Sequence, residues 1–251
     1  MRKILTSLSA LALSAGMASA GGKLAVPAEP IVAAPAPMAV YDWSGGYAGL
    51  GMTYGRTSYR SGLAVNDVVI PGSNAGGFLW PSGSGFGLGG FAGFNWQNGD
   101  FVYGVEGHVS AHRMRGTRRL TEEENGDEEV VGRIRTDVRR LASLRGRVGV
   151  AQDRTLFFVT GGPAIGNVRH TATFFDDGDS ETFRQSRNVT GFVIGAGIEH
   201  ALANGWHVRG DLEHYRFGKR NFSTIEDFND VTFPNVRTRV NLARVSAVFR
   251  F

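Results

Sequence analysis

The 251-residue sequence contains no cysteine and, beyond its amino terminus, no run of about eighteen apolar residues. The absence of cysteine excludes a disulfide framework and a thiolate metal site. The absence of a long apolar run excludes a polytopic helical membrane protein. The chain also has little excess of either sign of charge, because its 27 Lys and Arg residues are nearly balanced by 23 Asp and Glu residues. The chain therefore lacks the strong positive charge that would indicate a nucleic-acid partner, and no such partner is predicted.

Glycine and aromatic residues are abundant instead. The chain has 36 glycines and 17 phenylalanines, and its glycine usage is about twice the average. An aromatic content of 11% is too high for a disordered chain and suits many short strands. The composition therefore favours a folded protein that is rich in β-structure.

The first 42 residues have the features of an export signal followed by a linker. Arg2 and Lys3 precede a short apolar segment at residues 4–15, and Ala18-Ser19-Ala20 forms a small-residue cleavage motif. We predict a cleaved signal peptide at residues 1–20 that directs the chain through the inner membrane. Four of the eight prolines fall within residues 21–42. This segment is predicted to be a Pro/Ala-rich periplasmic linker rather than an edge strand, because each proline removes a backbone donor.

From residue 43 onward, hydropathy alternates with a period of two and the helical period is absent. In the segment around Phe101 and Val105, the alternate positions hold small or ionisable residues such as Glu106. The same alternation places Arg145 and Glu199 on the polar faces of two other segments. The phase of the segment from residue 156 to 167 is ambiguous. We predict eight strands, near residues 44–59, 84–96, 101–112, 138–151, 155–168, 189–202, 206–217 and 237–251.

The connections between these strands alternate in length. Those after the second, fourth and sixth strands are only a few residues long, and they include the tight-turn dipeptides Asn98-Gly99 and Asn204-Gly205. The others run to roughly twenty residues or more. Short turns on one side and long polar loops on the other are typical of membrane β-barrels. The predicted fold is therefore all-β, an eight-stranded antiparallel transmembrane β-barrel at residues 43–251, since ring closure pairs every backbone donor.

The last strand carries a further signal. Its apolar face ends in Phe249 and the terminal Phe251, as the last strand of an outer-membrane barrel does. We predict that these two residues form the assembly signal, with the barrel-assembly machinery and periplasmic chaperones as transient partners.

Aromatic residues at strand ends predict interfacial girdles on a lipid-facing exterior. They are Trp43, Trp96, Phe101 and Trp206. The alternative is a soluble periplasmic barrel that binds an apolar ligand, and it requires the apolar face to point inward.

A series of motifs in order makes the sequence resemble small alphaproteobacterial outer-membrane proteins, which belong with the OmpA-like, porin-family eight-stranded barrels. The motifs are Asp42-Trp43-Ser44-Gly45-Gly46-Tyr47-Ala48-Gly49, Leu144-Arg145-Gly146-Arg147-Val148-Gly149, Thr160-Gly161-Gly162, Gly195-Ala196-Gly197-Ile198-Glu199 and Val248-Phe249-Arg250-Phe251. The resemblance implies an integral protein of the Gram-negative outer membrane with an envelope-structural or surface-antigen role. Some members of this group are porin-like and some bind haem, so both activities stand as alternatives.

The interior of an eight-stranded barrel is just filled by side chains, so a wide pore is not expected. Charges removed from water must be paired. We therefore predict an interior network of carboxylates and guanidinium groups. Its members are Glu106, Glu199, Asp211 and Glu213 with Arg145, Arg147, Arg209 and Arg244. The alternative is a narrow gated path through the same network, which would make the protein a porin-like channel for small solutes.

No catalytic or cofactor motif is evident. Small barrels that hydrolyse lipid A carry a serine two residues after a histidine, whereas Arg216 follows His214 at that spacing. We therefore predict a protein that is not an enzyme and holds no cofactor or metal. For the haem alternative, the candidate ligands are His112 and His170 beside the loops, with Tyr59 across the rim.

The segment from residue 113 to 135 carries blocks of opposite charge. One interpretation is a mobile, solvated hairpin extension whose charges neutralise one another. The other is that its basic end binds the phosphates of lipopolysaccharide through bidentate guanidinium contacts. The residues concerned are Arg113, Arg115, Arg118 and Arg119. The expected partners are thus outer-membrane lipid and lipopolysaccharide, and the protein is expected to be a monomer.

Overall fold

The computed structural model describes residues 41–60, 63–65, 68–70, 81–124, 127–176, 179–218, 220–222 and 231–251. The predicted signal peptide and nearly all of the predicted linker lie outside these ranges. Eight long strands form the barrel: β1 (Gly45–Arg60), β4 (Ser84–Asn98), β5 (Phe101–Glu124), β6 (Asp127–Gln152), β7 (Thr155–Asp176), β8 (Asp179–Ala201), β9 (Trp206–Phe217) and β11 (Val231–Arg250). Three short strands lie beside them: β2 (Leu63–Val65), β3 (Val68–Ile70) and β10 (Arg220–Phe222).

The long strands pair in chain order, each antiparallel to the next, and β1 pairs with β11 to close the ring. The closing register runs from Tyr47 opposite Arg250 to Arg60 opposite Arg237. The predicted fold class, eight antiparallel strands in a ring, is thereby confirmed. In the part of the chain that the structure describes, no helix has both the length and the apolar character needed to cross a membrane.

Tight turns join the strands at one end of the barrel, as predicted. Gly99 has a φ angle of 62° and Gly205 one of 77°, and Asn204 precedes Gly205 with a φ of 55°. These left-handed conformations are the ones that glycine and asparagine adopt most easily in tight hairpin turns. The short-turn end is the periplasmic end in barrels of this kind.

At the opposite end, four neighbouring strands are much longer than the hydropathy pattern predicted. Pairing between β5 and β6 continues to Glu124 and Asp127, and pairing between β7 and β8 continues to Asp176 and Asp179. The segment from residue 113 to 135 is therefore a hairpin extension built from two paired strands. Backbone pairing continues where the alternation of apolar residues stops, which is why hydropathy ended β5 and β7 too early and began β6 and β8 too late.

The alternation of side chains divides the barrel into two faces. Large apolar side chains cover the outside, including Leu50 at 75% exposure and Leu212 at 68%. The inward positions hold the buried charged residues, such as Glu106 at 1%. The apolar face thus points outward to lipid, and the soluble-barrel alternative is wrong. The ambiguous segment of β7 is also resolved, because Phe158 is buried inside and Phe157 is exposed.

Aromatic contacts on the outer wall near the short turns form a girdle. Trp96 stacks on Tyr103 with ring centroids 5.8 Å apart, and Trp206 meets Phe249 at 5.2 Å. Trp43 does not belong to this girdle, contrary to the prediction, because it is fully buried inside the periplasmic mouth of the barrel. It precedes the first residue of β1, so strand phase did not determine the direction of its side chain.

The two faces tolerate added volume differently. We expect Gly197→Ala to destabilise the barrel by about 1–3 kcal/mol, since the new Cβ would lie 2.5 Å from Phe158 Cζ and 2.6 Å from the Gly210 carbonyl oxygen. The matched control is Gly107→Ala, whose Cβ would meet no atom within 4 Å and is expected to be neutral or slightly stabilising. Urea midpoints of the refolded proteins, read by heat-modifiable electrophoretic mobility, measure both effects. Equal midpoints would contradict the assigned inner and outer faces.

Candidate functional site in the barrel interior

The strand phase brings the eight charged residues predicted for the interior into one buried layer. They are Glu106, Arg145, Arg147, Glu199, Arg209, Asp211, Glu213 and Arg244, and none is more than 4% exposed. Three pairs lie directly opposite one another on adjacent strands in the register: Glu106 and Arg145, Glu199 and Arg209, Asp211 and Arg244. These opposite residues do not form the ion pairs, however. Most of the charged side chains reach across the lumen and pair with residues on other strands.

Glu213 is the centre of one half of the network. Arg145 binds it in a bidentate manner, with Nη1 to Oε1 at 2.9 Å and Nη2 to Oε2 at 3.1 Å. Arg244 Nη2 lies 3.2 Å from Glu213 Oε1. The Tyr215 hydroxyl accepts a hydrogen bond from Arg145 at 2.6 Å and donates one to Glu213 at 3.0 Å. This half therefore fastens β6 and β11 to β9.

Glu106 is the centre of the other half. Both terminal nitrogens of Arg209 bind its carboxylate, and Arg209 Nε donates to Asp211 Oδ1 at 2.8 Å. The Tyr47 hydroxyl donates to Glu106 at 3.0 Å. His108 contacts Glu106 and also Arg244, so it joins the two halves. Guanidinium and carboxylate groups are thus packed into one continuous set of contacts.

A third group connects the network to the periplasmic mouth. Arg147 binds Glu199, and His207 Nδ1 lies 2.7 Å from the other oxygen of the same carboxylate. His207 Nε2 lies 2.8 Å from the hydroxyl of Tyr41. The last residues of the predicted linker therefore bind directly to the interior network.

Two phenylalanines lie between the arginines. Phe158 lies under Arg147 at 3.9 Å and under Arg209 at 4.5 Å, and Phe91 lies 4.6 Å from Arg209. Such cation–π contacts stabilise buried guanidinium groups. The sequence analysis did not place either ring in the network. The signal for Phe91 was present, because it shares its phase with Asn95 on the inward face of β4.

Apolar clusters lie on both sides of the charged layer. At the short-turn end, Trp43 packs with Val102, Leu156 and Phe158. At the other end, a larger cluster fills the space from Tyr59 to Phe217. Its members are Tyr59, Met114, Val138, Leu141, Ala164, Val168, Val189, Val193, Tyr215, Phe217, Val240 and Leu242. The described interior thus has three layers, and the charged one lies in the middle.

The candidate haem ligands lie inside the barrel and not at its surface. Tyr59, His112 and His170 are at most 6% exposed. His112 Nε2 is already 2.8 Å from Ser110 Oγ, and the rings of Tyr59 and His170 meet at 6.2 Å. His170 lies on the long-hairpin side of the band of apolar side chains that covers the outer wall. Burial lowers the pKa of its imidazole to about 4. A haem at these residues would have to displace the apolar side chains that surround Tyr59.

The four arginines predicted to contact lipopolysaccharide do not share one surface. Arg113, Arg115 and Arg119 are exposed on the outward face of β5, whereas Arg118 has the opposite phase and is half-buried. Arg115 donates to Asp137 at 3.1 Å, so part of its charge is neutralised. Because alternate residues of a strand point to opposite faces, the strand places Arg118 on a different face from the other three arginines.

The two residues predicted as the assembly signal lie on the outside of the barrel. Phe249 is 41% and Phe251 78% exposed, and the Phe251 amide donates to the Gly46 carbonyl at 3.1 Å. Their recognition by the assembly machinery stays a prediction. Among the described side chains, no group of three or more His, Asp or Glu residues is arranged to hold a metal ion.

The chain is similar to several known outer-membrane proteins. The 31 kDa outer-membrane immunogenic protein of Brucella melitensis biotype 1 is 28% identical over 243 residues, which cover 95% of this chain and 97% of that protein. The 22 kDa outer membrane protein of Rhizobium leguminosarum bv. viciae is 31% identical over 121 residues, 47% of each chain. The outer membrane protein OprG of Pseudomonas aeruginosa superimposes with a TM-score of 0.44 at 11% identity, covering 83% of this chain and 97% of that one.

The family model of the outer membrane protein beta-barrel domain matches residues 24–251. That match spans all the strands described above, and the named relatives are outer-membrane proteins. The chain therefore belongs to the outer membrane protein β-barrel family and is a protein of the Gram-negative outer membrane.

Proposed function

We propose that the protein is a sealed, non-enzymatic barrel that contributes to the structure of the outer membrane and acts on its surroundings through its outer surface. The observation that supports this proposal is the succession of three buried layers in the lumen. An apolar cluster lies on each side, and a charged layer lies between them. A barrel filled in this way offers no continuous aqueous path.

The balance of charge within the middle layer supports the same proposal. Four arginines and four carboxylates line it, so the formal charges of these eight residues cancel. An ion that entered would have to displace bidentate contacts such as that between Arg145 and Glu213. Uncovering a buried charge in this way costs several kcal/mol.

A porin-like channel is the second candidate, and one feature of the network favours it. Arg147 Nε and Nη1 and Arg244 Nε have no hydrogen-bond partner among the described side chains. Donors of this kind are available to water, so a narrow gated path would pass beside them. The aromatic ring of Phe158 under Arg147 counts against that path, because it covers one face of the guanidinium group.

Two further observations support a role at the surface without catalysis. His214 is the histidine that would be compared with that of the lipid A hydrolases. It faces outward, and its Nδ1 lies 2.6 Å from Asn241 Oδ1. Arg216 stands where those enzymes have their serine nucleophile. The Brucella relatives are named immunogenic proteins, which fits exposure of the long hairpins to the outside.

We expect the mature protein, refolded into lipid vesicles, to retain small entrapped sugars and to give no conductance steps in planar bilayers. A Glu106→Ser/Arg209→Ser variant, which removes the contact across the lumen between β5 and β9, is expected to retain the sugars as well, because the apolar clusters on both sides of the charged layer remain. Solute efflux and conductance are the measurements, heat-modifiable mobility verifies folding, and a porin with a water-filled lumen verifies sensitivity. Efflux through the unaltered protein would overturn the sealed barrel and establish the channel.

A second prediction concerns the stability that the ion pairs provide. Glu199→Met leaves Arg147 buried without its carboxylate and is expected to lower the free energy of unfolding by about 3–5 kcal/mol. The double variant Arg147→Met/Glu199→Met removes both charges and is expected to lose less than half as much, because no unpaired charge remains. Urea unfolding of both variants measures the difference. Equal losses in the single and double variants would show that the pair itself does not determine stability at this position.

A further inference from the structure

A groove on the outer wall of the barrel lies at the upper limit of its apolar band. Its volume is about 1040 Å³, and residues from six neighbouring strands, β1 and β4 to β8, line it. Directly paired positions form the row across these strands: Leu88 pairs with Ala111, Ala111 with Arg140, and Arg140 with Asn167. The groove is therefore a continuous feature of the sheet and does not depend on a loop.

A β-bulge places two consecutive arginines in this groove. The register of β6 against β7 passes from Val138 opposite Val168 to Arg140 opposite Asn167, which leaves Arg139 as an extra residue. On the other side, the register of β5 against β6 also shifts at this point. A bulge redirects side chains and interrupts the inside–outside alternation. Arg139 and Arg140 are accordingly both exposed on the outer wall, although they are adjacent in sequence.

Among the described residues, no carboxylate forms an ion pair with the arginines of the groove. Arg169 from β7 joins Arg139 and Arg140 in lining it. Within the described ranges, none of these three arginines makes an ion pair or a hydrogen bond with another side chain. The nearby carboxylate of Asp137 is already bound by Arg115 at 3.1 Å and Arg135 at 2.9 Å. Three guanidinium groups are therefore available to an anion.

The remainder of the groove is apolar. Leu50, Met52 and Leu88 on one side and Ile165 on the other are all at least 52% exposed, and small residues such as Ala142 form the floor between them. Outward residues below Arg140 on β6, such as Leu144, are apolar and face lipid. The arginines thus mark the depth at which lipid tails give way to headgroups, on the side of the long hairpins.

We propose that this groove binds one phosphorylated, acylated glycolipid of the outer leaflet, the lipid A part of lipopolysaccharide. The phosphates lie against Arg139, Arg140 and Arg169, where charge-assisted guanidinium contacts are strongest, and an acyl chain lies along Ala142 and Ile165, which are directly opposite one another on β6 and β7. These arginines differ from the four in β5 that the sequence indicated. The inference rests on the outer-membrane location and not on the sealed interior, so the efflux measurements do not decide it.

Native mass spectrometry of the refolded mature protein, titrated with bisphosphorylated lipid A in detergent, tests the proposal. The triple variant Arg139→Gln/Arg140→Gln/Arg169→Gln is expected to bind lipid A more weakly by roughly tenfold or more, because it removes three charge-assisted contacts. The matched control, Arg216→Gln/Arg237→Gln/Arg239→Gln, removes the same number of charges from β9 and β11, which do not line the groove. It is expected to change affinity by less than about twofold, since separated exposed charges are screened.

A second pair of variants tests the apolar floor without altering charge. Ala142→Phe is expected to reduce binding by a similar factor by filling the groove. Ala243→Phe, also exposed on the outer wall but on β11, is expected to have no effect. Heat-modifiable mobility confirms that each variant is folded before it is titrated.

The results separate the proposal from general attraction to the rim. Equal losses in the two arginine triples, or no loss in either, would overturn the site. Binding of dephosphorylated lipid A as tightly as the bisphosphorylated form would overturn the role of the arginines. Equal binding of phosphatidylglycerol would overturn the assignment to a glycolipid.

Discussion

A chain that crosses a bilayer as strands must pair every backbone N–H and C=O group within itself, because the hydrocarbon offers no other partner. The pairing of β1 with β11 meets this requirement by removing both free edges. Closure also fixes what each side chain contacts, since alternate residues then point to lipid or into a lumen of limited width. The charged interior and the apolar wall are both consequences of that single constraint.

Because alternate side chains point into a narrow lumen, the charged ones among them must be paired. Once Arg145, Arg147, Arg209 and Arg244 face inward, water is largely excluded and each guanidinium group must find an anion or an aromatic face. Glu106 and Glu213 supply most of the anionic contacts, and Phe91 and Phe158 supply the faces. The network therefore holds strands together across the lumen as well as around the ring, which a sheet of backbone hydrogen bonds alone does not do.

The sequence predicted the fold and the inward position of all eight charged residues, because a period of two encodes the side of the sheet directly. It did not indicate that Glu106 contacts Arg209, since partners across a lumen depend on the strand tilt and stagger of the closed barrel. It misplaced Trp43, which lies before the first strand, where no phase applies. It ended β5 and β7 too early and began β6 and β8 too late, since polar strands beyond the membrane lack the apolar alternation that marks a strand.

The bulge at Arg139 could not be predicted from a pattern of regular strands. A register shift of one residue reverses the side to which every following side chain points, and a bulge absorbs such a shift at one position. At this position the two arginines are both presented to the outer leaflet, while Val138 remains buried inside. In a barrel whose interior is filled, an irregularity in the wall is one way to build a binding surface without opening the ring. The regular part of the sheet fixes the protein in the membrane, and the register shift between β6 and β7 is where we propose that a charged lipid headgroup binds.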